Sequence, residues 1–215
     1  MPKQDARKRK PVPRLAKKPI DEDKAESRRL ARADWAAAAL RQIAEGGLAG
    51  VNIATLAASL RVTTGSFYWH FASRTELIEV ALDRWETERI DIIERLREVS
   101  DPRERLEKLV SDIYRNRDRG ALFAALQASA TDPRVASRLR RTTERRLTFL
   151  TQTYRELGYP MAKARHAALA LYSLYTGLWE VIRTLPASDE HAVTGDRLTD
   201  YVQYLRTLAL PPKGR

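Results

Sequence analysis

An all-α fold of about nine helices is predicted by three features of this 215-residue sequence. Apolar residues recur at helical spacing along most of the chain, which marks amphipathic helices. Helix-start residues and glycine stops punctuate those runs at intervals typical of globular helices. No segment alternates apolar and polar residues over a useful length, so strands are not expected. A hydrophobic content of 43% is enough to bury a core in a chain of this size.

The elements follow in order. A first helix is expected over 27–45, with Ala36, Ala39, Leu40 and Ile43 on one face and Gly46-Gly47 ending it. Ile53, Leu56, Ala57 and Leu60 repeat at helical spacing behind Asn52, a residue suited to the N-cap. Leu60-Arg61-Val62 turns the chain, and Thr63 can cap a third helix that Phe67 and Phe71 anchor to the core. Ser73 caps a fourth helix, to about residue 94. Asp101-Pro102 with Glu104 reads as a capped start with proline at the first position, opening a helix to about residue 116. A shorter helix is expected over 118–130. Asp132-Pro133 repeats the start signal, and a helix over 135–157 runs to the stop Gly158-Tyr159-Pro160. A long helix over 161–185, a loop over 186–194 and a last helix over 195–209 before Pro211-Pro212 complete the chain.

The most informative stretch is 52–74, where a short helix, a turn and a second short helix follow without a gap. That order suits a protein that reads DNA. Thr64, Gly65 and Ser66 are small or hydroxyl-bearing, which lets a helix end approach base edges closely. Tyr68, Trp69 and His70 place amphipathic rings and hydrogen-bond donors beside the same surface, where phosphates would lie. Asn52, Thr63, Thr64, Gly65, Ser66, Tyr68, Trp69, His70 and Arg74 are therefore the candidate DNA-contacting residues.

Leu56-Ala57, Val62-Thr63, Gly65 to Phe71 and Ser73-Arg74-Thr75-Glu76-Leu77 together resemble the N-terminal DNA-binding domain of the tetracycline repressor (TetR) family. The resemblance runs from about Arg28 to Trp85; beyond that, only length and helicity match. Arg61 stands at a turn position where the family usually has glycine, which tolerates a left-handed backbone better than arginine. Arg74 replaces the usual lysine, and either can meet a phosphate. The resemblance implies a helix-turn-helix domain over 27–85 and a helical effector-binding and dimerisation domain over 86–215. It also implies a homodimer formed through the last two helices, a palindromic operator on double-stranded DNA, and repression relieved by a small-molecule effector.

Charge is unevenly placed. The net charge of +11 divides into +7 for 1–33, −2 for 34–86 and +6 for 87–215. The expected DNA reader is slightly acidic, so cations must come from elsewhere. Residues 1–26 read as a disordered basic arm in which Lys3, Arg7, Lys8, Arg9, Lys10, Arg14, Lys17 and Lys18 are broken by prolines. Such an arm can follow phosphates or enter a minor groove; the alternative is a solvated tail that aids solubility.

The segment 161–185 is apolar almost all round, so each side is expected to be covered. Ala170, Ser173 and Gly177 form a small-residue stripe, and Tyr172, Tyr175 and Trp179 an aromatic one. The family's usual arrangement would place Tyr201, Leu205 and Leu208 of the last helix in the dimer contact. The aromatic stripe reads either as packing or as pocket lining. By position in the helices that enclose the effector in this family, Tyr114, Phe123, Gln127, Phe149, Tyr154, Tyr172, Thr176 and Trp179 are the candidate ligand residues. They suggest a mostly apolar effector oriented by hydroxyls and one amide. Arg138, Arg140, Arg141, Arg145 and Arg146 are expected to be solvated helix surface, with attraction of an anionic effector as the alternative.

Other classes find little support. The sequence has no cysteine, which removes disulfides and thiolate metal sites and fits a reducing compartment. His70, His166 and His191 are far apart, with no paired helical ligands, phosphate-cradling loop or nucleophile motif, so no metal, no cofactor and no enzyme activity are expected. No signal-peptide-like or membrane-spanning apolar run is present, and a soluble, cytoplasmic protein is expected. The remaining rival keeps the DNA-binding head but is controlled by a protein partner, or organises DNA without an effector.

Overall fold

The computed structural model describes residues 31–185 and 188–210, with the backbone alone for 113–115. The basic arm and the expected start of the first helix at residue 27 lie outside these. Among the described residues there are nine α-helices, one 3-10 turn and no strand. The helices are α1 (Arg32–Gly46), α2 (Ile53–Ser59), α3 (Thr64–Tyr68), α4 (Arg74–Arg97), α5 (Pro102–Arg115), α6 (Arg117–Ala128), α7 (Pro133–Glu156), α8 (Met161–Thr184) and α9 (Gly195–Ala209). A 3-10 turn at Leu48–Gly50 was not expected from the pattern.

Side-chain caps fix four of the nine described helix starts. The Asn52 side chain accepts from the Thr55 amide at 3.0 Å, and that of Ser73 from the Glu76 amide at 3.2 Å. Asp101 and Asp132 accept from the amides of Arg103 and Arg134, each at 2.9 Å, with proline following both caps. These bonds satisfy amides that a helix leaves without partners. Hydrogen bonding from Arg134 pulls the Asp132 carboxyl down to about 2. Thr63 differs from expectation: it holds the cap position of α3, but its side chain makes no capping bond.

Arg61 occupies the turn after α2 with φ of +58°. The Val62 amide donates to Ala57 O (2.9 Å) and the Arg61 amide to Ala58 O (3.0 Å), a pairing that closes a helix around a left-handed residue. A side chain there costs about 1 kcal/mol that glycine avoids. Arg61→Gly is therefore expected to raise stability to denaturant by up to about 1 kcal/mol; a fall in stability would show that the arginine side chain outweighs the backbone cost.

The head is built on one aromatic cluster. Trp35 of α1 meets Phe67 of α3 edge-on, with ring centroids 5.5 Å apart, and Phe67 stacks on Phe71 at 5.4 Å. All three rings are buried. The core continues without a break into the C-terminal helices: α1 packs on both α4 and α6, α4 on α7, α7 on α8, and α5 on α9. Leu205 of α9 lies wholly in this core, which removes it from the expected dimer contact; Tyr204 and Leu208 are the exposed apolar residues there. Likewise α8 is not covered on every side within one chain, since Leu169, Ala170, Ser173, Gly177 and Val181 face outward.

Ion pairs tie α4 to α7. Arg138, 8% exposed, donates to Asp83 at 2.6 Å and Glu79 at 2.7 Å, and Arg141 forks onto Glu86 at 2.6 and 2.5 Å. These two arginines are thus committed to α4 rather than forming free helix surface. Two-pronged pairing of this kind fixes geometry as well as charge.

Candidate nucleic-acid interface and ligand cleft

The second helix of the helix-turn-helix motif is only five residues long, too short to be stable by itself, so it depends on anchoring. Phe67 supplies the anchor on its inner side. On the outer side Thr64 and Gly65 are exposed, Ser66 and His70 partly so, and Tyr68 and Trp69 are 64% and 89% exposed. An indole standing almost wholly in water is unusual for a residue of this size.

Two arginines brace this surface. Arg32 of α1 donates to His70 O, pairs with Glu76 at 2.7 Å and lies over the Phe71 ring at 4.3 Å. The Glu76 carboxylate also accepts the Ala72 amide at 2.7 Å, and these hydrogen bonds, the one from Arg32 first, lower its pKa. Arg74, expected at a phosphate, instead turns its guanidinium to the carbonyls of Val51 (2.7 Å) and Leu48. It fastens the start of α4 to the turn before α2. Asn52 is exposed, with its side-chain oxygen engaged in the α2 cap.

Gly65 needs no special backbone. A Cβ there would find Thr63 Oγ1 at 3.6 Å as its nearest neighbour, an ordinary contact. Gly65→Ala is therefore expected to fold with equal or greater stability, as alanine favours helix by up to about 1 kcal/mol. If this surface meets DNA at close range, the same variant should lose about tenfold or more in affinity, read by anisotropy of a labelled duplex, because a methyl group intrudes on close backbone approach. Unchanged binding would show that nothing approaches Gly65 closely.

A second site lies among the C-terminal helices. Trp85, Arg89, Ile90 and Ile93 of α4, Phe123 of α6, Thr142, Arg145 and Arg146 of α7, and Tyr172 and Tyr175 of α8 line a cleft with about 350 Å³ of empty volume. Adjoining lobes of about 270 and 280 Å³ share Arg146 and Tyr175 with it and reach Trp179 and Leu150 respectively. The Tyr172 hydroxyl is 2.7 Å from Thr143 Oγ1, and burial raises its pKa. Arg146 lies 5.0 Å from the Tyr175 ring centroid, and Arg89 5.9 Å from that of Trp85. The lobes are narrow, so a bound molecule must part side chains to enter.

The eight candidate ligand residues separate here. Phe123, Tyr172 and Trp179 stand in the cleft walls. Tyr154 does not: its buried hydroxyl donates to Ala209 O at 2.8 Å, tying α7 to the end of α9. Phe149 is buried in the core, the Thr176 hydroxyl returns to Ser173 O at 2.9 Å, and Gln127 lines none of the three lobes. Tyr114 falls in α5, with its side chain outside the described residues. Arg89, Trp85 and Ile93 escaped sequence reasoning. A legible signal existed: Leu82, Trp85, Arg89, Ile92 and Leu96 step by three and four, placing an arginine in an apolar stripe.

A helix-turn-helix with an exposed reading face, carried on an all-helical body, defines a DNA-binding transcriptional regulator. Residues 36–81 match the model of the bacterial regulatory proteins of the tetR family. The chain is 31% identical over 163 residues to the HTH-type transcriptional regulator BetI of Burkholderia cenocepacia, spanning 71% of this chain and 81% of that protein. It shares its fold with a TetR transcriptional regulator from Legionella pneumophila (TM-score 0.69, 15% identity, 85% of this chain and 98% of the other). A transcriptional regulator from Saccharomonospora viridis, solved in complex with choline, is also similar (TM-score 0.65, 22% identity, 82% and 91%). The chain belongs to the TetR family of transcriptional regulators, and it is a regulator rather than an enzyme.

Proposed function

We propose that this chain is a homodimeric repressor that leaves a palindromic operator when a small, largely apolar effector enters the cleft. The observation that carries the reading is the double duty of α4. Its first turn holds the head through Arg74 and Glu76, its middle is clamped to α7 through Glu79, Asp83 and Glu86, and its next turns wall the cleft with Trp85, Arg89 and Ile93. A ligand that parts α4 from α7 and α8 must therefore tilt the helix on which the head is mounted. Differential affinity for the two arrangements then couples ligand to DNA.

Dimerisation is supported by the outward face of α8 and α9. Leu169, Val181, Tyr204 and Leu208 are 40 to 59% exposed beside a groove lined by Ala170, Ser173, Gly177 and Tyr201. Repression, rather than activation, follows the family resemblance, as does a cytoplasmic location. Among the described residues no helix is long and apolar enough to cross a membrane. In this reading the basic residues before Pro19 offset the acidic head on DNA.

A choline-like effector fits this cleft poorly. Aromatic faces hold quaternary ammonium groups by cation–π attraction, and two of the rings here, Trp85 and Tyr175, already have the guanidinium groups of Arg89 and Arg146 beside them. Gly177 supplies the test of the dimer. A Cβ on it meets nothing within 4 Å in the single chain, so Gly177→Glu should fold normally. Sedimentation equilibrium should give twice 24.5 kDa for the parent and a monomer with weakened DNA binding for the variant; a monomeric parent, or a variant that still pairs, would overturn the interface.

A further inference from the structure

We infer that the effector carries a carboxylate, and that Arg89 receives it with Arg146 beside it. This rests on the reading of the cleft as the effector site and adds the chemistry of the ligand. Three arginines are buried among the described residues, and two have conventional partners: Arg105 pairs with Glu156 at 2.6 Å, and Arg138 with Glu79 and Asp83. Arg89 is the exception. It is 8% exposed, its one hydrogen bond among the described residues runs from Nη2 to Arg119 O at 2.8 Å, and no described carboxylate lies within the 4.0 Å of an ion pair. Asp112 in the adjoining lobe is engaged by Arg119 and Asn116 instead.

An arginine always carries its charge, and leaving that charge buried without a counter-ion is costly. Here the cost falls beside a cleft, since Arg89 lines two of its lobes. Arg145 and Arg146 line the first lobe as well, and none of the three arginines has an acidic partner among the described residues. Trp85 and Trp179 add two buried indole N–H groups without an acceptor in the same walls. Burial lowers the Arg89 pKa; Arg146 and Arg119 act in the same direction, while Tyr175 and Asp112 oppose it. The wall is thus rich in donors and positive charge, and apolar elsewhere. An aryl or alkyl carboxylate satisfies both parts: its oxygens match the guanidinium fork, and its tail occupies the space between Phe123, Tyr172 and Ile93. A cation would meet like charge at every lobe.

The test uses three acids, benzoate, 4-phenylbutyrate and octanoate, each beside its primary amide and the trimethylammonium compound of the same skeleton. Binding is read by thermal shift and tryptophan fluorescence, and function by release of duplex DNA selected from a random pool. At least one acid should bind about tenfold or more tighter than its amide, with its ammonium counterpart silent, since a charge-assisted fork is lost in both. Arg89→Met should remove that preference without lowering the melting temperature, because no ion pair is broken. If Arg89→Met does not fold, Arg89→Lys provides the reading: the charge stays, the fork is lost, and the preference falls. Amides or ammonium compounds that bind as well as the acids and release DNA would overturn the carboxylate while leaving the gating reading intact. Acids that bind through Arg89 but leave DNA bound would overturn gating and keep the carboxylate. No binding by any acid, or an acid preference untouched in both variants, overturns the inference.

Discussion

Phe67→Ala is expected to destabilise the head by about 3 to 5 kcal/mol and to abolish DNA binding, as removal of a fully buried aromatic ring costs this much. The ring is 0% exposed and contacts Trp35, Tyr68 and Phe71 with centroid separations of 5.5, 5.1 and 5.4 Å. Few other bonds hold α3: its five residues form barely one turn, and its cap residue Thr63 offers no side-chain bond. Without the ring, the exposed face of Thr64, Gly65, Ser66 and Tyr68 loses its fixed orientation. Chemical denaturation followed by far-UV circular dichroism should show this loss as a lower midpoint. Phe67→Leu should cost much less, because it keeps most of the volume. A loss below about 1 kcal/mol for Phe67→Ala would mean that α3 is held by something other than this ring.

Gly120→Ala should have a comparable effect in the body. An ideal Cβ on Gly120 lies 2.0 to 2.3 Å from three ring carbons of Trp179, far inside contact distance. The indole is 2% exposed and cannot swing aside, so α6 and α8 must separate. Overpacking of a well-filled site costs about 1 to 3 kcal/mol, and this collision sits at the upper end or beyond; the better helix propensity of alanine returns at most about 1 kcal/mol. Because Trp179 also stands in a wall of the cleft, the variant should change tryptophan fluorescence and any effector response. Combining it with Trp179→Leu should recover much of the stability, as two substitutions at one contact are not additive. Equal stability of Gly120→Ala and the parent would place the indole elsewhere in solution.

The helix boundaries and the head were largely legible in sequence because their determinants are local. Asn52, Ser73, Asp101 and Asp132 cap the helices that their positions announce, and Gly158, at φ +88°, ends α7 where expected. The spacing of Phe67 and Phe71 against Tyr68 and Trp69 separates the buried from the open face of α3 by helical period alone. The cleft is different. Its walls come from four helices spread over roughly a hundred residues, and which side chains converge there depends on how the helices cross rather than on any local pattern. Tyr154 has the composition of a ligand residue, yet its hydroxyl satisfies a carbonyl at the end of α9. Arg138 and Arg141 look like surface charge until α4 supplies Glu79, Asp83 and Glu86 opposite them. Arg74 looks like a phosphate ligand until the carbonyls of Leu48 and Val51 are placed beside it.

Arg74 and the acidic balance of the head have one consequence for DNA. In the proposed reading, with that guanidinium engaged in the protein, phosphate contacts would fall to neutral donors such as Tyr68 and His70 and to cations outside the head, so binding strength and sequence reading would be supplied by different parts of the chain. The two can be separated by screening.

Selection of binding sites from random-sequence duplexes with the purified full-length chain, at about 0.15 M salt to screen nonspecific attraction, does so directly. A sequence-specific dimeric regulator should enrich an inverted repeat whose half-sites are centred about one duplex turn, roughly 34 Å, or a multiple of it apart. DNA retained without a shared motif would contradict that reading and leave a protein that holds DNA by charge alone.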